Sequence, residues 1–285
     1  MLYGILFVFG LVIGSFLNVV SMRYREDQIV GDPRVIGGRS HCPHCGKTLH
    51  WYELVPVASF IIQRGRCRGC GAKLSWQYPA VELLSACIFA FVPMETFLLT
   101  GPRPDAFTIL SAFWVLVFEL LLLIAVIDFR LGIIPDELNA ALGVVAIFML
   151  IAIGGLFGVE NHSLFGSYAV LAGFQASLWE NHLLAALGAF LFFALLVAVT
   201  KGRGMGLGDV KLAIPLGLIF GWPDIAFVTG SSFVIGAFVG LVAIIVRRKT
   251  MKQSLPFAPF LAIGAALVFF LAFAGASAYF RLVSL

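Results

Sequence analysis

Charge is scarce in this 285-residue sequence: only 12% of its residues are Asp, Glu, Lys or Arg, against 61% that are hydrophobic. With a mean hydropathy of +1.02, that composition excludes a soluble domain and indicates a polytopic membrane protein. The formal net charge of +4 gives no sign of a nucleic-acid partner, so the basic residues are read for orientation instead. Other features are also missing. The glycine run at 204–208 lacks the G-K-[ST] ending of a phosphate-binding loop. No Rossmann-type glycine fingerprint appears, and no internal repeat of the kind many transporters are built from. The first apolar run has no basic stretch before it and no small-residue cleavage site ahead of Arg23, which speaks against a cleaved signal peptide. What is abundant fits a bilayer: 28 Phe are cheap to expose to lipid, and 30 Gly allow helices to approach closely.

Tyr3 to Val20 reads as the first membrane helix. Further apolar runs lie at about 80–99, 107–127, 138–158, 182–200, 209–222, 224–246 and 257–281. The fold class is therefore an all-α polytopic membrane protein of about eight transmembrane helices. A first helix (1–20) precedes an extramembrane loop module (21–78), and a membrane bundle (79–285) follows. The run at 209–222 is the shortest and contains Pro215, so a kinked or partial helix is expected there. Tyr168 to Phe174, inside the Gly154 to Glu180 connection, reads as an interfacial segment.

Basic residues orient the chain. If the 21–78 module is cytoplasmic, alternation of the spans puts the loops near Arg130, Lys201 to Lys211 and Arg247 to Lys252 on the same side. Of the 19 Lys and Arg, only Arg103 and Arg281 then fall elsewhere, the bias that the positive-inside rule describes. Asp128 and Asp209 come out at that same cytoplasmic face.

Two C-x-x-C pairs, Cys42/Cys45 and Cys67/Cys70, are each followed by glycine, as the tight turns of a zinc ribbon require. Four thiolates make a closed tetrahedral site, which suits structure and leaves no open position for catalysis. The alternatives are disulfides or reduced surface cysteines, and a cytoplasmic setting disfavours the former. His41 and His44 read as solvated, and Cys87 as an apolar packing residue.

Two acids stand at the edges of apolar runs, Asp128 after Ala125-Val126-Ile127 and Asp209 after Gly206-Leu207-Gly208. An acid in hydrocarbon costs roughly 2.5 to 3.5 kcal/mol on insertion scales, so each is a functional candidate, with simple capping of a helix end as the alternative. A close pair of carboxyls can share one proton, supplying the base and the acid that hydrolysis of a peptide bond needs. The glycines at 204, 206 and 208 leave room for an extended substrate strand, or for close helix packing. Other acids rank lower: Asp136 opens a helix after Pro135, and Glu119 lies roughly 13.5 Å deeper than Asp128 at 1.5 Å per residue, where a buried hydrogen bond suits it. Glu82 is placed to anchor the loop module to the bundle. Lys211 is expected to snorkel to headgroups or meet an acidic substrate group.

Gly14-Ser15-Phe16-Leu17-Asn18-Val19-Val20 opens a series of motifs that resembles the type IV prepilin peptidases, a group of GxGD intramembrane aspartic proteases. It continues with the C-x-x-C pairs followed by Tyr78-Pro79-Ala80-Val81-Glu82-Leu83, Asp128 with Ile134-Pro135-Asp136, Gly206 to Leu212, and Leu255 to Leu261. The resemblance implies a bifunctional enzyme of the bacterial inner membrane. Such an enzyme cuts the leader from prepilins or pseudopilins on the cytoplasmic side and N-methylates the new terminal residue, with S-adenosylmethionine as donor. It assigns catalysis to Asp128 and Asp209, and structural zinc to Cys42, Cys45, Cys67 and Cys70. Two departures stand out, Ala258 where the family more usually has glycine and a lengthened 154–180 segment; neither is expected to touch a catalytic position. The rival readings are a membrane transporter, which would usually keep its acids near the midplane, and a membrane-tethered zinc-ribbon binding protein without protease activity.

Overall fold

The computed structural model describes residues 1–100, 103–156, 163–165, 177–202, 204–246 and 255–283. Tyr168 to Phe174 and the Arg247 to Lys252 loop lie outside the described residues. Every described apolar run carries a helix, and the described residues pair as strand only at two isolated bridges. The helices group into two compact units, Met1–Leu123 and Ile124–Leu285.

The N-terminal unit is built on α1 (Leu2–Arg23), with a short α2 (Pro33–Ile36) and α3 (Ala58–Ile62) in the loop module, and α4 (Gln77–Thr100) returning along α1. Small residues set that seam. A Cβ on Gly10 would stand 2.6 Å from the Ala86 Cα, and one on Gly14 would stand 2.7 Å from the Glu82 Cα, so the two backbones touch where the chain carries glycine four residues apart. Polar groups close the same seam. The Ser85 hydroxyl lies 2.8 Å from the Gly10 carbonyl and 2.9 Å from a Glu119 oxygen, and the Asn18 amide donates to the Tyr78 carbonyl at 3.0 Å. Glu119 thus makes the buried hydrogen bond expected of it. Glu82 likewise anchors the module, accepting the Val57 N–H at 2.7 Å.

α5 (Pro104–Leu131) runs on into the C-terminal unit, which continues through α6 (Asp136–Ile151), α7 (Leu178–Thr200), α8 (Leu207–Phe220), α9 (Asp224–Ile245) and α10 (Ala258–Val283). Among the described residues, six helices are long and apolar enough to cross a membrane: α1, α4, α5, α6 extended by a π turn to Leu156, α7 and α9. α8 has 14 residues and continues through Pro215, a short helix where a kinked or partial one is expected. At 1.5 Å per residue it is about 21 Å long, short of a hydrocarbon core of about 30 Å. Its tight packing on α7 needs Gly217, where a Cβ would collide with the Ala186 backbone. Beyond α8 the chain turns sharply. Asn181 exchanges two hydrogen bonds with the Trp222 backbone, and Asp224 accepts from the Ser163 hydroxyl and the Leu164 N–H at 2.6 and 2.7 Å.

Candidate active site and metal centre

Asp128 sits in the last turn of α5, ahead of a reversal at Gly132, whose φ of 70° and N–H bond of 2.8 Å to the Asp128 carbonyl end the helix. Asp209 lies in the first turn of α8, where its Oδ2 accepts the Gly206 N–H at 3.2 Å. Helix starts leave N–H groups without intrahelical partners, and a carboxylate in the first turn takes one up. Asp128 is served in the same way by a different helix: the Ala258 N–H, at the start of α10, reaches its Oδ2 at 3.1 Å. Both carboxylates are buried. Among the described residues each carboxylate accepts its hydrogen bond through Oδ2.

Ala258 therefore does touch the candidate site, contrary to what its position in the sequence suggested. The contact comes from its main chain, so glycine or alanine can supply it equally. Lys211 has a partner that its sequence position did not suggest: its ammonium pairs with Asp136 at 2.7 and 2.8 Å, tying the start of α8 to the start of α6. The glycine run divides its work. Gly208 faces Ile134, whose Cβ would lie 3.1 Å from an added methyl, so this glycine serves packing. At Gly206 the nearest atom is the Asp209 Oδ2 at 3.8 Å, so the open side of the run faces the carboxylate.

In the N-terminal unit the two knuckles are near copies. Cys42 N–H bonds to Lys47 C=O and Gly46 N–H to Cys42 C=O, while Cys67 N–H bonds to Ala72 C=O and Gly71 N–H to Cys67 C=O, all at 2.9 Å. Gly46 and Gly71 take φ of 70° and 71°, a left-handed turn that glycine adopts without strain. The turns bring all four Sγ atoms within 4.8 Å of one another, with Cys42 and Cys70 4.0 Å apart. Tetrahedral zinc at about 2.3 Å from each sulfur spaces its ligands by about 3.8 Å, so the cluster fits the ion with small adjustments. The thiols already divide their protons unevenly. The Cys70 and Gly69 N–H groups draw Cys67 down to about 7, whereas burial and the neighbouring thiols, outweighing the Ala72 N–H, push Cys70 up to about 11. His41 and His44 are exposed and do not join the cluster. A Lys47–Glu53 pair at 3.1 Å braces the first knuckle, and Glu53 also accepts the His50 N–H.

Comparison with known proteins agrees with this division. Residues 8–96 match the bacterial peptidase A24 N-terminal domain, and residues 114–241 match the type IV leader peptidase family. Proteins named prepilin leader peptidase/N-methyltransferase are 33% identical to the chain in Bacillus subtilis (strain 168), Aeromonas hydrophila and Burkholderia pseudomallei (strain 1026b). The Bacillus alignment covers 93% of each protein; the other two cover 92% of this chain and 88% and 83% of theirs. No solved structure matches. The transporter and tethered-ribbon readings find no support in these relatives. Its N-terminal and peptidase matches, with relatives that align over nearly their whole length, place the chain in the type IV leader peptidase family.

Proposed function

We propose that this protein is a multi-pass enzyme of the bacterial inner membrane that removes the leader from prepilins or pseudopilins and N-methylates the exposed terminal residue. The observation that carries the peptidase half is the pair of buried carboxylates, Asp128 and Asp209, each fixed through one oxygen by a helix-start N–H. One carboxylate takes a proton from water as the water oxygen bonds to the scissile carbonyl carbon. The other, as the carboxylic acid, protonates the carbonyl oxygen. The tetrahedral species then expels the amine, which leaves with a proton returned by the first carboxyl. Fixing the carboxylates through the backbone keeps their free oxygens aimed before substrate arrives, which is where much of the barrier reduction in such sites originates.

Cys42, Cys45, Cys67 and Cys70 hold structural zinc, which sets the shape of the loop module and takes no part in hydrolysis. S-Adenosylmethionine supplies the methyl group when bound. The distribution of basic residues supports a cytoplasmic side for the ribbon and both aspartates. Exposed side chains such as Leu195, Val234 and Phe238 meet lipid.

Incubating the detergent-solubilised protein with S-adenosylmethionine and a peptide containing Gly-Phe-Thr-Leu-Ile-Glu, followed by mass spectrometry, tests both halves. Cleavage before Phe, with the mass of one methyl group added to it, is expected. An intact peptide after incubation with zinc-loaded protein would sink the peptidase reading, and a cut but unmethylated one the transferase reading.

A further inference from the structure

A loop bathed in water buries its apolar side chains and shows its polar ones, and α3 in the loop module does the reverse. Its Ser59 and Phe60, with Gln63 just beyond, face a cavity shared with Asn18, Tyr78 and Glu82. Ile61 and Ile62 lie outside that cavity and are 66% and 69% exposed. Val55, ahead of the helix, is 40% exposed, and Trp76, whose ring centroid lies 5.0 Å from that of Phe60, is 76% exposed. Phe60 thus links Trp76 to α3. Arg64, Arg66, Arg68 and Lys73 are exposed in the same stretch, and residues 54–76 contain no acid.

Two contacts fix the depth of this apolar surface. The Val57 N–H, at the start of α3, donates to a Glu82 oxygen at 2.7 Å. Glu82 lies in the second turn of α4, and its Cα packs where a Cβ on Gly14 would stand 2.7 Å away. Gly14 lies about 13.5 Å short of the end of α1 at Arg23, at 1.5 Å per residue. α1 itself, with 22 residues, measures about 33 Å, close to a hydrocarbon core of about 30 Å. α3 therefore starts beside the apolar parts of α1 and α4 rather than beyond their ends. An exposed isoleucine at that depth meets acyl chains, and Trp76, just ahead of α4, stands where tryptophan is enriched at the boundary of a bilayer. Interfacial segments bury their apolar face about 5 to 10 Å into this boundary, and nearby cations add attraction to anionic lipid.

We propose that residues 55–62 and Trp76 form an interfacial anchor, with Ile61 and Ile62 among the acyl chains of the leaflet beside the loop module. Arg64, Arg66, Arg68 and Lys73 supply the positive charge that draws anionic phospholipid to it. The anchor holds the ribbon to the bilayer at a third point, besides the ends of α1 and α4. It needs only that α1 and α4 cross the membrane, and so stands apart from the peptidase and transferase readings.

Lipid cross-linking tests the anchor in the intact zinc-loaded protein, reconstituted into vesicles of phosphatidylethanolamine and phosphatidylglycerol. The photoreactive residue p-benzoylphenylalanine replaces Ile61, Ile62 or, as a control in the first knuckle, His44, all of them exposed. After irradiation, mass spectrometry should find phospholipid adducts about fivefold or more abundant at positions 61 and 62 than at 44. Phosphatidylglycerol should be about twofold or more richer in those adducts than in the vesicle, and Arg64→Gln combined with Arg66→Gln should remove the excess. Adducts no more abundant at 61 and 62 than at 44 overturn the anchor. Cross-links there to a second copy of the chain or to an added prepilin peptide also overturn it and make this face a protein-binding surface. An unenriched phosphatidylglycerol share overturns the role of the cations. Tryptophan quenching by lipids brominated near the headgroup end of their acyl chains needs no foreign residue. Trp76→Phe should lower the quenchable share of the fluorescence, and an unchanged share overturns the anchor even if the cross-linking variants fail to fold.

Discussion

In the ribbon the converging groups are side chains: four thiols meet, Lys47 pairs with Glu53, and the Glu82 carboxyl reaches across to hold the loop. In the C-terminal unit the aspartates are held by main-chain N–H groups at the starts of α8 and α10, and the residues supplying them are a glycine and an alanine. The difference lies in what each part tolerates. A site held by side chains fails when one is replaced, whereas a site held by helix ends fails when the helix start moves or its N–H is lost. It follows that the residues supplying those two N–H groups can change side chain without losing the contact, provided the N–H remains.

Substitutions sharpen or break this contrast. The largest effect is expected at the dyad, where either Asp128→Asn or Asp209→Asn should reduce cleavage by about a thousandfold or more. The double variant should be no worse, because the two act as one unit. Methylation of a pre-cleaved peptide should persist, and near wild-type cleavage by Asp128→Asn in a peptide assay would remove that residue from the mechanism. Next comes the ribbon. Cys67→Ser should release an ion whose binding to such sites is worth on the order of 10 kcal/mol, detectable as lost zinc and free labelling of the remaining thiols. Protein that carries no zinc as purified, with all four thiols reactive, would contradict the metal assignment. Cleavage should fall far less than in the aspartate variants.

Ala258 tests the main-chain argument directly. Ala258→Pro deletes the N–H that Asp128 accepts at a helix position where proline is tolerated. A hydrogen bond to a charged group is worth about 1.5 to 3 kcal/mol, so kcat should fall by about ten- to a hundredfold. Ala258→Gly keeps the N–H and should cut nearly as well as wild type; equal losses in the two would show that the methyl group matters instead. A pH effect on stability is expected in the ribbon. The His50 N–H and the Lys47 ammonium hold the Glu53 carboxyl below its ordinary range, so its contribution is present above that range and fades as pH falls through the lowered value. Glu53→Gln should flatten the acid limb of ribbon unfolding followed by thiol labelling. The smallest change belongs to Lys211→Met or Asp136→Asn, an exposed pair worth at most about 1 kcal/mol, for which rates within about fivefold of wild type are expected.

Hydropathy made the helices legible, because a bilayer demands long apolar runs whatever packs against them. The cysteine spacing and the two edge acids were equally plain, since each carries its chemistry in its own identity. What sequence could not supply was partnership across distance. Nothing in Leu255 to Leu261 says that the Ala258 N–H turns toward residue 128, because every residue but proline has an N–H. Lys211 and Asp136 read separately as a snorkelling base and a helix-start acid, and their pairing exists only because α6 and α8 begin side by side. Glu119 was the easier case: an acid far from any water boundary requires a buried donor, and Ser85 provides one.

The glycine seam between α1 and α4 also bears on how the ribbon comes to exist. Once Gly10 and Gly14 lie against α4, the chain between the two helices is a closed loop with both ends clamped, and most of the entropy of bringing the knuckles together is already spent inside the bilayer. The four sulfurs then meet at a high effective concentration, and the ion closes a short remaining gap rather than gathering a free coil. The metal affinity proposed for the four cysteines is thus partly a property of the membrane helices, and the same loop cut from them should hold zinc more weakly with every cysteine still in place.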